Sequence, residues 1–93
     1  MTPAILVALA AFRVLVVAAN DRYHGAMSDA AEPLLESLGA ESGFAVDFTH
    51  DATVLRDEEL ARHAVLVQLH LAPFDMTRDQ QGALQRFILR GGG

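Results

Sequence analysis

The chain has 93 residues and is 52% hydrophobic, so it suits one small globular domain or a piece of a larger one, and not a disordered segment. Its formal net charge of −5 argues against a nucleic-acid-binding surface, which requires a basic face. The absence of cysteine excludes a disulfide framework, a thiolate nucleophile and a cysteine-ligated zinc site within these residues.

Residues 1–12 form an apolar extension with no Lys or Arg before Arg13. A secretory signal has a charged start and about 15–30 residues, and a membrane span needs about 20 apolar residues. Three interpretations stay open: an extended or misassigned start, a degenerate secretory signal, and a membrane anchor. We predict a domain over 13–93 and a cytoplasmic protein without stable membrane association, or a secreted or periplasmic one if residues 1–10 act as a signal.

The first predicted strand is the β-branched apolar run over 13–19, which is typical of a strand buried on both faces of a parallel sheet. A polar loop follows, and residues 28–42 then predict a helix that ends at Gly43. Pro33 fits only the first turn of a helix, so we expect a late start or a kink there. The expected apolar face consists of Ala31, Leu34, Leu35 and Leu38.

Two further strands are predicted, over 44–49 from apolar–polar alternation and over 64–69 from a second apolar run. Residues 57–63 between them predict a short helix with a solvated acidic start and with His63 at its end. The last predicted helix spans 77–90, with a capping box of Thr77 and Gln80. Its expected apolar face consists of Ala83, Leu84, Phe87 and Ile88.

The resulting β-α-β-α-β-α order predicts an α/β fold, a three-layer, flavodoxin-like parallel sheet with helices on both faces. In such folds, a glycine turn like Gly91–Gly93 delivers the chain into the next buried strand. We therefore expect a fragment, truncated after the third strand–helix unit, whose uncovered sheet edge promotes self-association.

Three predicted loops follow the carboxyl ends of the strands, at residues 20–25, 50–51 and 68–75. Ligands of open parallel sheets bind at this edge, so we expect the site there. The candidate residues are Asn20, Asp21, Tyr23, His24, Gln68 and His70.

His24 is the candidate catalytic residue, because a histidine positions hydroxyls or exchanges protons near neutral pH. Alternatively, it bonds the start of the next helix. Asn20 and Asp21 either bind the ligand or close the strand in an Asx-turn. Gln68 and His70 are candidates to face the ligand cleft. Alternatively, the ring of His70 packs against the Pro-Phe pair that follows it.

His50 and His63 are weaker candidates, and His63 is better explained by its position at the end of a helix. The four histidines show no HxH, HxxxH or HExxH spacing, so no metal site is predicted. GxGxxG, GxxxxGK(S/T) and GxSxG are also absent, and no cofactor is predicted.

The run RVLVV over 13–17, followed by a loop with Tyr23 and His24, resembles the start of ThuA-like domains, the trehalose-utilisation family. Residues 34–46 (LLESLGAESGFAV) are similar to the first helix and second strand of the family. Residues 76–93 (MTRDQQGALQRFILRGGG) resemble a family segment that leads into a strand ending in Gly-Ile-His. The resemblance covers nearly the whole chain but only the first part of the family's domain.

The resemblance implies a fold like that of class I glutamine amidotransferases and a role in sugar metabolism, often on oxidised glycosides or disaccharides. Glutaminase activity is not implied, since family members generally lack the Cys-His pair. His24 matches the first-loop histidine of the family, whereas the histidine expected just beyond Gly93 is absent. Residues 70–74 stand where many relatives have small polar residues.

Three functions follow as hypotheses: a fragment of a carbohydrate-processing enzyme, a non-catalytic carbohydrate-binding or assembly module, and a truncated product without activity of its own. The expected partner is a small sugar or glycoside, and neither a nucleic acid nor a membrane.

Overall fold

The computed structural model describes residues 11–18, 25–69 and 76–93. Strands and helices alternate along this part of the chain. In order they are β1 (Phe12–Ala18), α1 (Gly25–Ser42), β2 (Phe44–Thr49), a 3₁₀ helix (Ala52–Val54), α2 (Asp57–Leu60), β3 (Val65–Leu69) and α3 (Arg78–Leu89).

The described strands form a parallel sheet in the order β2-β1-β3. Phe12 pairs with Phe44 at the start of β2, and Val14 pairs with Val65 at the start of β3. The two later strands therefore flank the first on opposite sides, which confirms the predicted doubly wound α/β arrangement. The sheet is covered at its centre, where Val16 of β1 is completely buried.

One face of the sheet is closed by the second and third helices. Leu15 and Val17 of β1 form a core cluster with Leu60 of α2 and Phe87 of α3. Leu55, which follows the 3₁₀ helix, belongs to the same cluster and is 2% exposed. Burial of such large aliphatic side chains contributes about 1.5–3 kcal/mol each, so this cluster holds the short helices against the sheet.

The opposite face lies beneath α1, which packs against β2. Side chains alternate along a strand, so Val14 and Val16 point to this face, and both are buried. Only part of the predicted helix face is covered: Leu35 is half-buried, whereas Leu34 is 61% and Leu38 42% exposed. Leu34 and Leu38 lie four residues apart on one outer stripe of the helix, so this part of the predicted apolar face is turned away from the sheet.

The start of α1 also differs from the sequence prediction. The helix begins at Gly25, so Pro33 lies in its interior and not in its first turn. An interior proline removes one backbone hydrogen bond and costs about 3 kcal/mol. Ser28, in the turn before it, is completely buried, which indicates that packing outweighs this local cost. The predicted end is confirmed, since Gly43 has a φ of 85°.

The helix α2 is shorter than the predicted helix over 57–63, because it ends at Leu60. Its acidic start is only partly solvated: Asp57 accepts a hydrogen bond from Nε of Arg86 on α3 at 3.0 Å. Both side chains are about half exposed, so this pair aligns the helices more than it stabilises them.

The helix α3 has the predicted capping box. The hydroxyl of Thr77 accepts from the backbone N–H of Gln80 at 3.1 Å, and the Gln80 side chain accepts from the N–H of Thr77 at 2.8 Å. Ala83 and Phe87 face the core as predicted, but Ile88 is 58% exposed. It lies about 100° around the helix from Phe87 and therefore misses the buried line.

The final glycines serve different purposes. Gly91 has a φ of 97°, the left-handed conformation that favours glycine after a helix. Gly92 is required for space, because a Cβ atom there would lie 2.4 Å from the ring of Phe87.

Gly93 lies against the outer edge of β3. Its N–H donates to the carbonyl of Ala64 at 3.0 Å, and its carbonyl accepts from the N–H of Leu66 at 2.7 Å. This is the hydrogen-bonding pattern of a parallel strand pair, so Gly93 pairs with β3 on the side opposite β1.

Among the described residues, no helix is long and apolar enough to cross a membrane. The apolar extension lies almost entirely outside that part of the chain, so the boundary predicted near residue 12 stays a prediction.

Candidate ligand site at the carboxyl edge

The strand order defines where a ligand would enter this fold. The chain leaves β1 through α1 on one face of the sheet, and it leaves β3 towards α3 on the other face. Since these connections diverge, a crevice opens between the carboxyl ends of β1 and β3, where ligands of such sheets bind. Gln68 and Ala18 stand at this edge: Gln68 pairs with Val17, and Ala18 is the last residue of β1.

Most of the predicted site residues fall in the segments that follow these two strand ends. Asn20, Asp21, Tyr23, His24 and His70 all lie outside the described residues. Their sequence positions, directly after β1 and β3, agree with the predicted edge, and their roles stay predictions.

Gln68 is the predicted site residue that the structure does describe. Its side chain is exposed, and Nε2 lies 3.7 Å from the sulfur of Met76, where it makes a weak hydrogen bond. The amide oxygen has no hydrogen-bond partner among the described residues.

His50 follows β2 and reaches the end of the neighbouring strand. Its Nδ1 lies 3.2 Å from the carbonyl oxygen of Ala18. The ring packs edge-on against Phe48, with centroids 5.5 Å apart and an interplanar angle of 82°. Sequence reasoning gave this residue little weight, because a lone histidine after a strand carries no motif.

Asp51, the next residue, has a structural role. Its carboxylate accepts from the backbone N–H of Thr53 at 3.0 Å and from the Thr53 hydroxyl at 2.6 Å. These hydrogen bonds lower the pKa of Asp51 below its ordinary value. The carboxylate caps the 3₁₀ helix through Oδ1, which accepts both of these hydrogen bonds.

A second polar cluster, formed by Arg13, Asp47 and His63, lies towards the amino ends of β1 and β3. Arg13 donates from Nε and Nη2 to the two Asp47 oxygens at 2.9 and 2.6 Å. The Nε2 of His63 lies 2.7 Å from Oδ2 of Asp47. We call these three residues the charge cluster.

Electrostatics in the charge cluster follow from these contacts. The hydrogen bonds from Arg13 are the largest cause that lowers the pKa of Asp47, and the bond from His63 adds to them against the effect of burial. The other ring nitrogen of His63 lies 2.8 Å from the carbonyl of Glu59 at the end of α2. The predicted helix-end role of His63 is therefore confirmed, whereas its contact with Asp47 was not predicted.

The charge cluster borders a surface groove of about 240 Å³ between β2 and α2. The groove is a weak candidate for a ligand site, because its polar side chains already bind one another. Asp47 and His63 are paired, and Arg62 lies 3.5 Å from Glu59. Within the described ranges, no three acidic or histidine side chains are placed to hold a metal ion.

The comparisons with known proteins agree with the fold and with the sequence resemblance. The family model for ThuA, described as trehalose utilisation, matches residues 13–93. A solved structure of a ThuA-like protein from Bacteroides uniformis superposes with a TM-score of 0.74 at 24% identity, over 88% of this chain and 34% of that one. This chain thus spans about a third of that relative's length.

Comparison with curated proteins finds no match. The family match nevertheless includes all the described strands and helices, except for Phe12, the first residue of β1. The chain therefore belongs to the ThuA family.

Proposed function

We propose that this chain contributes part of a carbohydrate site of the trehalose-utilisation type, at the carboxyl edge between β1 and β3. The observation that carries the proposal is the family match over residues 13–93. The strand order supports the proposed position of the site, because the candidate residues follow β1 and β3, the two strands on either side of the switch point.

The chemistry of the candidate residues suits a sugar or glycoside. Sugars present many hydroxyl groups, which amide, carboxylate and imidazole side chains bind through directed hydrogen bonds. Gln68 has an exposed amide at the edge whose oxygen has no partner among the described residues, and Asn20, Asp21, Tyr23 and His70 would add further partners. His24, as the acid–base candidate, would position or deprotonate a hydroxyl.

The proposal is tested by titrating the isotope-labelled chain with trehalose and following backbone amide resonances. Saturable shifts concentrated at residues 17–18 and 67–69 would support the site, with myo-inositol as a polyol control. Shifts spread over the whole surface, or none at millimolar trehalose, would contradict the proposal.

Substitution of His24 by alanine separates an enzyme from a binding module. An enzyme would lose turnover of trehalose or a glucoside by about 100-fold or more, because general acid–base catalysis contributes at least this factor. A binding module would mainly lose affinity.

An assembly module is the second candidate, and the exposed apolar stripe on α1 favours it. Met27, Leu34 and Leu38 lie on this stripe and are 56%, 61% and 42% exposed. If a second copy of the chain covers the stripe, size-exclusion chromatography with light scattering will show a dimer that Leu34→Glu converts to a monomer. A monomeric parent chain would exclude this role.

A further inference from the structure

We infer that His50 is a ligand-facing residue of the carboxyl edge, where its Nε2 accepts a hydrogen bond from a sugar hydroxyl. The inference deepens the proposed function and rests on it. It depends only on residues that the structure describes: His50 itself, Ala18 and Phe48.

The position of the ring is the first step. His50 directly follows β2, yet its Nδ1 contacts the last carbonyl of β1, the central strand. The side chain therefore leans from the edge strand towards the switch point. The residue is exposed, so a ligand at that edge can reach it.

The partner of Nδ1 determines the tautomer, which is the second step. A backbone carbonyl can only accept a hydrogen bond, so Nδ1 carries the proton and donates to Ala18. In the neutral ring, Nε2 is then an unprotonated acceptor. A carbonyl contact at Nδ1 is the arrangement that orients histidines in metal and catalytic sites through the other nitrogen.

The ring is held before any ligand arrives, which is the third step. The edge-on contact with Phe48 supports one side, and the bond to Ala18 fixes the rotation. A side chain already fixed in this way loses less conformational freedom on binding. Among the described residues, Nε2 has no hydrogen-bond partner.

The neighbouring polar groups differ from this ring nitrogen in the contacts that they make. Both ring nitrogens of His63 have oxygen partners, and Oδ1 of Asp51 caps the 3₁₀ helix. Nε2 of His50 has no such partner among the described residues. As an unprotonated nitrogen it can accept from an O–H group, which a sugar supplies at nearly every carbon.

Two substitutions separate the nitrogens of His50. The amide of His50→Asn can still donate to the Ala18 carbonyl but does not extend to the position of Nε2. The longer His50→Gln can place an amide oxygen near that position. The probe is trehalose, titrated into each chain by calorimetry, and Glu36→Ala on the exposed surface of α1 serves as the control.

We expect His50→Asn to weaken trehalose binding about fivefold, the loss of roughly one neutral hydrogen bond. His50→Gln should restore part of the loss, and Glu36→Ala should bind like the parent chain. Equal affinity of the parent and His50→Asn would overturn the inference while the proposed function stands. No binding of trehalose by the parent would overturn both.

A measurement that needs no sugar tests the tautomer itself. Ring ¹⁵N spectra of the parent chain should show that the neutral ring of His50 carries its proton on Nδ1 and leaves Nε2 bare. A spectrum with the proton on Nε2 would overturn the inference whatever the sugar does.

Discussion

The two ends of the sheet use the same residue types for opposite purposes. Towards the amino ends, Arg13, Asp47 and His63 bind one another, and the His63 side chain is 3% exposed. At the carboxyl edge, His50 and Gln68 are exposed, and each keeps an acceptor atom free of the other described residues. At one end a histidine is fixed between a carboxylate and a helix carbonyl, and at the other a histidine has one ring nitrogen without a partner among the described residues.

The two ends differ because a buried polar group needs hydrogen-bond partners inside the fold, whereas an exposed one does not. His63 is enclosed between α2 and the sheet, so both of its nitrogens need partners inside the fold. At the carboxyl edge, His50 and Gln68 are exposed, so solvent reaches their side chains and the fold need not supply a partner for every polar atom. Substitutions at the two ends should therefore separate stability from binding.

Asp47→Ala should give the largest effect on stability. It leaves the buried Nε2 of His63 without its partner and removes both hydrogen bonds of Arg13. We expect a loss of about 2 kcal/mol in the free energy of unfolding, measured by urea denaturation, with trehalose affinity unchanged. The exposed Glu36→Ala should stay within about 0.5 kcal/mol of the parent chain. A loss of less than that for Asp47→Ala would show that the charge cluster is not structural.

Acidification should weaken the same cluster, with a smaller loss of unfolding free energy than Asp47→Ala causes. The pKa of Asp47 is lower in the folded chain than its ordinary value, so folding favours the ionised carboxylate. That stabilisation is fully present above the unfolded-state pKa of about 3.9, and it is lost as the pH falls through the lower folded value. The unfolding free energy should decrease from about pH 5 downwards.

Asp47→Asn should decrease less steeply over the same range, because it cannot be protonated. It should not become flat, since Asp51 and Asp57 also have lowered pKa values. Parallel curves for the parent and Asp47→Asn would refute a role for this carboxylate in the acid response.

Asp51→Ala tests the structural interpretation of the one carboxylate at the carboxyl edge that the structure describes. The substitution removes the cap of the 3₁₀ helix and should cost about 1 kcal/mol. Trehalose affinity should not change, in contrast to His50→Asn. A variant of normal stability with weakened binding would place Asp51 in the site.

Arg13→Lys should produce the smallest effect. Lysine keeps the positive charge but cannot form the two-atom contact that the guanidinium makes with Asp47. The Arg13 side chain is 47% exposed, so we expect a loss of only about 0.5 kcal/mol in chemical denaturation. A loss above about 2 kcal/mol would mean that the guanidinium also supports β1 in another way.

The architecture could be predicted from the sequence because its signals are local. Apolar runs located β1 and β3, and apolar–polar alternation located β2, each within one residue of the observed bounds. Thr77 with Gln80 located the start of α3. The start of α1 failed for a related reason, since the local penalty of Pro33 says nothing about how the preceding turn packs.

The charge cluster could not be predicted, because its members come from three segments. Asp47 pairs with Leu15, so it lies diagonally across from Arg13 on the same face, and only the strand register reveals this. His63 joins them only because α2 ends early. At the carboxyl edge, Gln68 was predicted, whereas the value of His50 depends on its contact with Ala18, which no motif records.

The central position of β1 has a consequence for how the chain folds during synthesis. Of the three described strands, β1 is synthesised before the other two and is the one with neighbours on both sides. β2 and β3 therefore add to a strand that has already been made. Among the described strands, this order suits vectorial folding, since β1 need not be displaced to admit β2 or β3.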